Sequence, residues 1–113
     1  MRIVKDKISI VELKDMSAKK FGNLVKSVVD IERGVMAIDG DLHADEEAAL
    51  LEYGSSQENL WGINIYPELT GADFIEFDSL INLRPSQGNR TRGVDNSETK
   101  EKILQIINKL VEK

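Results

Sequence analysis

Two runs of alternating residues on either side of a proline turn constrain this chain most. Trp61, Ile63 and Ile65 alternate with Gly62, Asn64 and Tyr66; after a turn from Pro67 to Asp73, Ile75, Phe77, Ile81 and Leu83 alternate with Glu76, Asp78, Asn82 and Arg84. Strand side chains point to opposite faces with a period of two, so the pattern predicts two strands sharing one buried face. Paired as a hairpin, they gather Asn64, Tyr66, Glu76, Asp78, Asn82 and Arg84 on the opposite face. The chain then enters a loop of Arg, Asn and Gly that ends near Val94.

The residues before this hairpin predict a second one. Leu24 to Glu32 sets Val25, Val29 and Ile31 on one face against Lys26, Asp30 and Glu32 on the other, a half-buried strand. Arg33 and Gly34 make a tight connection, and Val35 to Asp39 returns with Met36 and Ile38 inward. Ahead of it, Arg2 to Val4 reads as a short edge strand. Ser9 stands three residues before Glu12, the capping-box spacing that starts a helix carrying Val11, Leu13, Met16 and Phe21, stopped by Gly22 and Asn23.

From Asp39 the text DGDLHADEEAALLEYGSS predicts a helix capped by Asp41 and closed by Gly54, with Asp45, Glu46 and Glu47 in the first turn where the helix dipole favours acids. Ser55 and Glu58 repeat the capping-box spacing before the strand at Leu60. The last helix, capped by Asp95 or Ser97, carries Ile103, Ile106, Ile107, Leu110 and Val111 on one face. The order is (β)αββα(short α)ββα: an α+β fold with a mainly antiparallel sheet of two hairpins and helices packed on one face. Trp61, Ile63, Phe77, Ile81, Ile103, Ile107 and Leu110 are expected in one core, with Met16 and Met36 as packing residues. At 113 residues, with no linker or repeat, residues 1–113 form a single domain.

The runs DGDLHADEEA, ENLWGINIYPE and FIEFDSLINLRPSQGNRTRGV resemble the defining segments of a small family of uncharacterised prokaryotic single-domain proteins of about this length. The resemblance covers nearly the whole chain and implies no activity.

Charge is unevenly distributed. Residues 1 to 26 carry seven basic and three acidic groups, residues 27 to 99 four and fifteen, and residues 100 to 113 four and two. Lysine is absent between Lys26 and Lys100, so every cation of the acidic middle is an arginine. The net charge of −5 argues against extended nucleic-acid binding, which needs a basic field. No apolar run approaches the ~20 residues of a membrane span. The start, MRIVKDK, does not lead into a signal-peptide pattern, and with no cysteine the expected location is cytoplasmic.

Three constellations are candidates for chemistry. Arg84, Gln87, Asn89, Arg90 and Arg92, with Asn82 just before them, supply the guanidinium forks and amides of an anion site; the same residues also suit a surface loop that offsets the acidic middle. Neither a phosphate-binding GxxxxGK[ST] loop nor GxGxxG is present. Asp39, Asp41, His43 and Asp45, spaced by two, suggest a divalent metal, but no calcium-loop or HExxH pattern is complete, and a helix start accounts for the acids; no metal or cofactor is expected. Glu76 and Asp78, at i and i+2 on one strand face, lie ~7 Å apart, a distance that serves a general acid and base or two solvated carboxylates.

The leading expectation is a small binding protein for an anionic small molecule or acidic group at the arginine loop. One alternative is a hydrolase or isomerase with Glu76 or Asp78 as base and His43 or the arginines stabilising charge. The other is a homo-oligomeric interaction subunit, such as a homodimer, with no small ligand.

Overall fold

The computed structural model describes residues 1–113. The strands are β1 (Arg2–Val4), β2 (Ile8–Ser9), β3 (Val25–Asp30), β4 (Val35–Ile38), β5 (Leu60–Ile65), β6 (Ile75–Glu76) and β7 (Val111–Glu112); the helices are α1 (Ile10–Lys19), α2 (His43–Glu52) and α3 (Ser97–Leu110). β1, β4, β3, β5 and β6 form, in that order, one antiparallel sheet, and β2 pairs with β7 in a separate parallel ribbon. The fold is α+β with a mainly antiparallel sheet, as the alternation predicts.

The helices cover both faces of that sheet, not one. Leu13 of α1 and Ile103, Ile107 and Leu110 of α3 pack with Val25, Val29, Met36, Ile38, Trp61, Ile63 and Ile65 in the larger core. Leu50 of α2 packs with Val28, Val35, Ala37 and Leu60 on the opposite face. Central β3 and β4 are buried at nearly every successive position, the mark of strands covered on both sides, and β4 is apolar throughout. Asp30, expected at a solvent face, is fully buried. Its Oδ1 accepts from the backbone N–H groups of Glu32 and Arg33, and its Oδ2 accepts from Ser55 Oγ at 2.6 Å, so one carboxylate shapes the β3–β4 turn.

Of the two capping-box spacings in the sequence, one forms and one does not. The Ser9–Glu12 capping box forms in both directions, starting α1. α3 is capped by Asn96, which accepts from Thr99 N–H at 3.0 Å, and not by Asp95 or Ser97. Asp95 instead accepts from Arg90 N–H and Thr91 Oγ. Ser55 and Glu58 form no box, because the Ser55 hydroxyl is held by Asp30; Gln57–Asn59 is a 3-10 turn without a side-chain cap. Phe21 lies beyond α1, exposed, with the Lys26 ammonium 5.2 Å from its ring centre.

The second hairpin is shorter than predicted. β6 pairs with β5 only at Asn64–Glu76 and Ile65–Ile75. Beyond it the Asn82 side-chain amide replaces a strand: its Oδ1 accepts from Gly62 N–H at 2.8 Å and its Nδ2 donates to Gly62 O at 2.9 Å. A Cβ on Gly62 would lie 2.6 Å from Ser79 Cβ, so only glycine admits this crossing. Leu80–Asn82 is consequently a 3-10 turn. Ile81 packs in the smaller core rather than with Trp61 and Ile63, Leu83 is exposed, and Phe77 lies half-buried against the larger core.

Candidate functional site

The arginine loop divides into an internal and an external part. Arg84 donates from Nε to Ile81 O, from Nη1 to Gln57 O and Gln87 Oε1, and from Nη2 to Leu60 O, and its guanidinium stacks 4.4 Å from the Trp61 ring centre. Four of its five N–H donors face protein acceptors. Asn89, buried, donates from Nδ2 to the carbonyls of Asn82, Thr91 and Gly93 and accepts from Asp95 N–H. Gln87 reaches Glu58 O, and Asn82 binds Gly62 and Arg92 O. Asn82 and Arg84 therefore hold the loop onto β5, Gln87 ties it to the turn before that strand, and Asn89 closes the loop on itself. Only Arg90, exposed, and Arg92, paired with Asp78 at 2.7 Å, present side chains outward.

The acidic turn is likewise dispersed. Lys20 Nζ lies between its parts, 2.8 Å from Asp39 O and 3.1 Å from Asp41 Oδ1. Asp41 thus does not cap α2; the N-cap residue is Leu42, with no side-chain hydrogen bond. A cavity of about 430 Å³ adjoins this turn, and no three His, Asp or Glu side chains are arranged to hold a metal ion. A second cavity of about 460 Å³ lies beside Trp61, Gln87 and Asn96.

The predicted polar sheet face is only partly solvated. Glu76 Oε1 accepts from Asn64 Nδ2 at 2.8 Å and Tyr66 Oη at 2.9 Å, and burial together with this carboxylate raises the Tyr66 phenol above its ordinary value. Glu76 is therefore tied to its own sheet, and Asp78 to Arg92.

His43, Lys26, Ser79 and Arg92, distant in sequence, line one depression of about 230 Å³ between the start of α2 and the Leu80 turn, with Leu42 and Leu80 also in its wall. His43 is buried, and its Nε2 lies 2.8 Å from Ile63 O. A carbonyl can only accept, so Nε2 carries the proton and Nδ1 keeps a lone pair. Burial is the main force holding the imidazole below its usual pKa, opposed by the Ile63 carbonyl. Lys26 makes no ion pair. Asp78 holds Arg92 by Nε, leaving the Nη groups of the fork free.

One residue that sequence reading missed as a site neighbour interacts with Lys26. Glu46 is fully buried on the inner face of α2; its Oε2 accepts from Gly40 N–H at 2.9 Å and its Oε1 has no partner. Burial pushes its pKa up to about 9, so it is uncharged at neutral pH and gives Lys26 no counter-anion. The spacing of His43, Glu46 and Leu50, all buried, is the i, i+3, i+7 signal that could have found it.

Residues 2–110 match the family described as protein of unknown function (DUF5674), and the chain belongs to that family. Neither the curated proteins nor the solved structures contain a match to the chain. No helix is long and apolar enough to cross a membrane.

Proposed function

We propose that this protein binds a small anionic ligand, and that the ligand sits in the depression lined by Lys26, His43, Ser79 and Arg92 rather than on the crest of the arginine loop. The observation that carries this reading is the convergence of two cations, Lys26 and Arg92, on one cavity whose wall contains no carboxylate residue. α2 adds to it: its first turn has no side-chain cap, and the backbone N–H groups of His43 and Ala44 belong to residues of the same wall. Arg90, exposed and outside the wall of this cavity, contributes only long-range attraction. The test is calorimetry with inorganic phosphate at fixed ionic strength. Binding by the wild type, lost in Arg92→Ala and in Lys26→Ala, is expected; phosphate binding that survives both substitutions together overturns the reading.

One observation favours a second reading, a small hydrolase or isomerase. His43 is held neutral with its Nδ1 lone pair unprotonated, the state a general base needs, whereas Glu76 and Asp78 are each bonded to other side chains. Turnover of a phosphate or carboxylate ester, lost in His43→Gln with phosphate binding intact, would establish it.

A further inference from the structure

The wall of the same depression carries chemistry that a bare anion does not use. Leu80 is 66% exposed and Leu42 is 55% exposed, and both lie in it, next to half-buried Ile81. Val11 and Leu69 are also exposed large aliphatics, but neither belongs to the wall of any cavity shared with cations. Scattered surface leucines are ordinary, while two in one concave wall beside two cations form a site with separate polar and apolar ends.

We infer that the ligand is an amphiphilic anion: a phosphate or carboxylate head held by Lys26 and Arg92, joined to an apolar body that covers Leu42 and Leu80. This rests on the anion-binding reading above and names its ligand class. The charge argues for the head, since Arg92 keeps its Nη donors free and Lys26 makes no ion pair. The leucines argue for the body, because covering them removes apolar surface from water at the point where the head is anchored. A soluble small molecule is the occupant, because a depression of about 230 Å³, just under the ~300–1,000 Å³ usual for small-molecule pockets, suits a small head group and not an extended interface.

The experiment compares inorganic phosphate with octyl phosphate, kept below its micelle-forming concentration, by calorimetry on the full chain. Each methylene buried should tighten binding about fourfold, so octyl phosphate should bind at least about tenfold more tightly than phosphate. The Leu42→Ala, Leu80→Ala double variant, altered only at exposed positions and adding no side-chain cap to α2, should lose that gain and keep the phosphate affinity. If phosphate binds and octyl phosphate binds no more tightly, the amphiphile inference is wrong and the anion reading stands. If neither binds, both fail. Octyl phosphate binding that ignores Arg92→Ala marks an apolar site without an anion clamp and also overturns both. Sedimentation supplies the remaining arm: a dimer that octyl phosphate does not dissociate, and that the double leucine variant abolishes, would mean a second copy covers the leucines.

Discussion

The two faces of the sheet are built on different principles. Toward α1 and α3, Val25, Val29, Met36, Ile38, Ile63 and Ile65 meet apolar side chains, and the one polar strand residue among them, Ser27, rests its hydroxyl on Met36 Sδ. Toward α2 and the 78–93 segment, the buried set includes Asp30, His43, Glu46, Asn64, Ser79 and Asn82. Buried polar groups cost stability unless each finds a partner, so the second face needs specific geometry where the first needs only volume. The lesson is that the candidate site and the exacting contacts occupy the same face: cations and a neutral imidazole are arranged there by a framework of side-chain amides, while the other face supplies the bulk of the apolar packing.

The contrast can be broken most severely from the apolar side. Ile107→Ala, at a position 1% exposed, should lower unfolding stability in urea by about 2–5 kcal/mol while leaving phosphate binding unchanged. A smaller loss than any on the polar face would remove the distinction.

Glu46→Gln is expected to do the opposite and stabilise. The folded chain keeps this proton up to about 9 while the unfolded chain releases it near the ordinary value of 4.5, so the wild type is most stable below that lower value and loses stability as pH rises toward the upper one. The glutamine variant should flatten this slope of roughly 1.4 kcal/mol per pH unit and gain up to about 3 kcal/mol at pH 7. Urea midpoints from pH 5 to 8 that run parallel in the two proteins would contradict it.

Asn82→Ala removes both bonds to Gly62 and the one to Arg92 O, and should cost about 2 kcal/mol through the unpaired backbone groups left behind. Because it frees the segment that carries Arg92, phosphate affinity should fall with it. Arg90→Ala should be the mildest, within about 0.5 kcal/mol in stability, since the residue is exposed and its side chain makes no ion pair. An equally large loss from Arg90→Ala would put the anion back on the loop crest.

What was legible in the sequence follows the same division. α1 comes from apolar periodicity and its Ser9–Glu12 cap, and α3 and the strands β3, β4 and β5 from apolar periodicity alone, since the α3 cap is Asn96 and not the expected Asp95 or Ser97. The 78–93 segment was read as a strand followed by an exposed loop because Asn82 and Arg84 alternate correctly with Ile81 and Leu83; nothing in that alternation says that an asparagine amide will imitate a peptide group twenty residues away. The charged residues were legible as types and not as partners. Arg84 was read as a ligand contact, and the structure gives its donors to the carbonyls of Gln57, Leu60 and Ile81. His43 and Arg92 were both candidates, but their meeting across one cavity with Lys26 depends on the β3–β5 register and on the crossing at Gly62.

That crossing also turns a single proton into a gauge. The Gly62 N–H is bonded by Asn82 and not by a neighbouring strand, so its exchange with deuterated solvent requires the 78–93 segment to lift while the β3–β5 ladder stays closed. Amides within that ladder wait for a much larger opening. The interval between the two exchange rates would therefore read out, in the intact protein and without any substitution, how often the segment bearing Arg92 departs from its seat, and a ligand bridging Lys26 and Arg92 would lengthen the Gly62 lifetime before it altered any other.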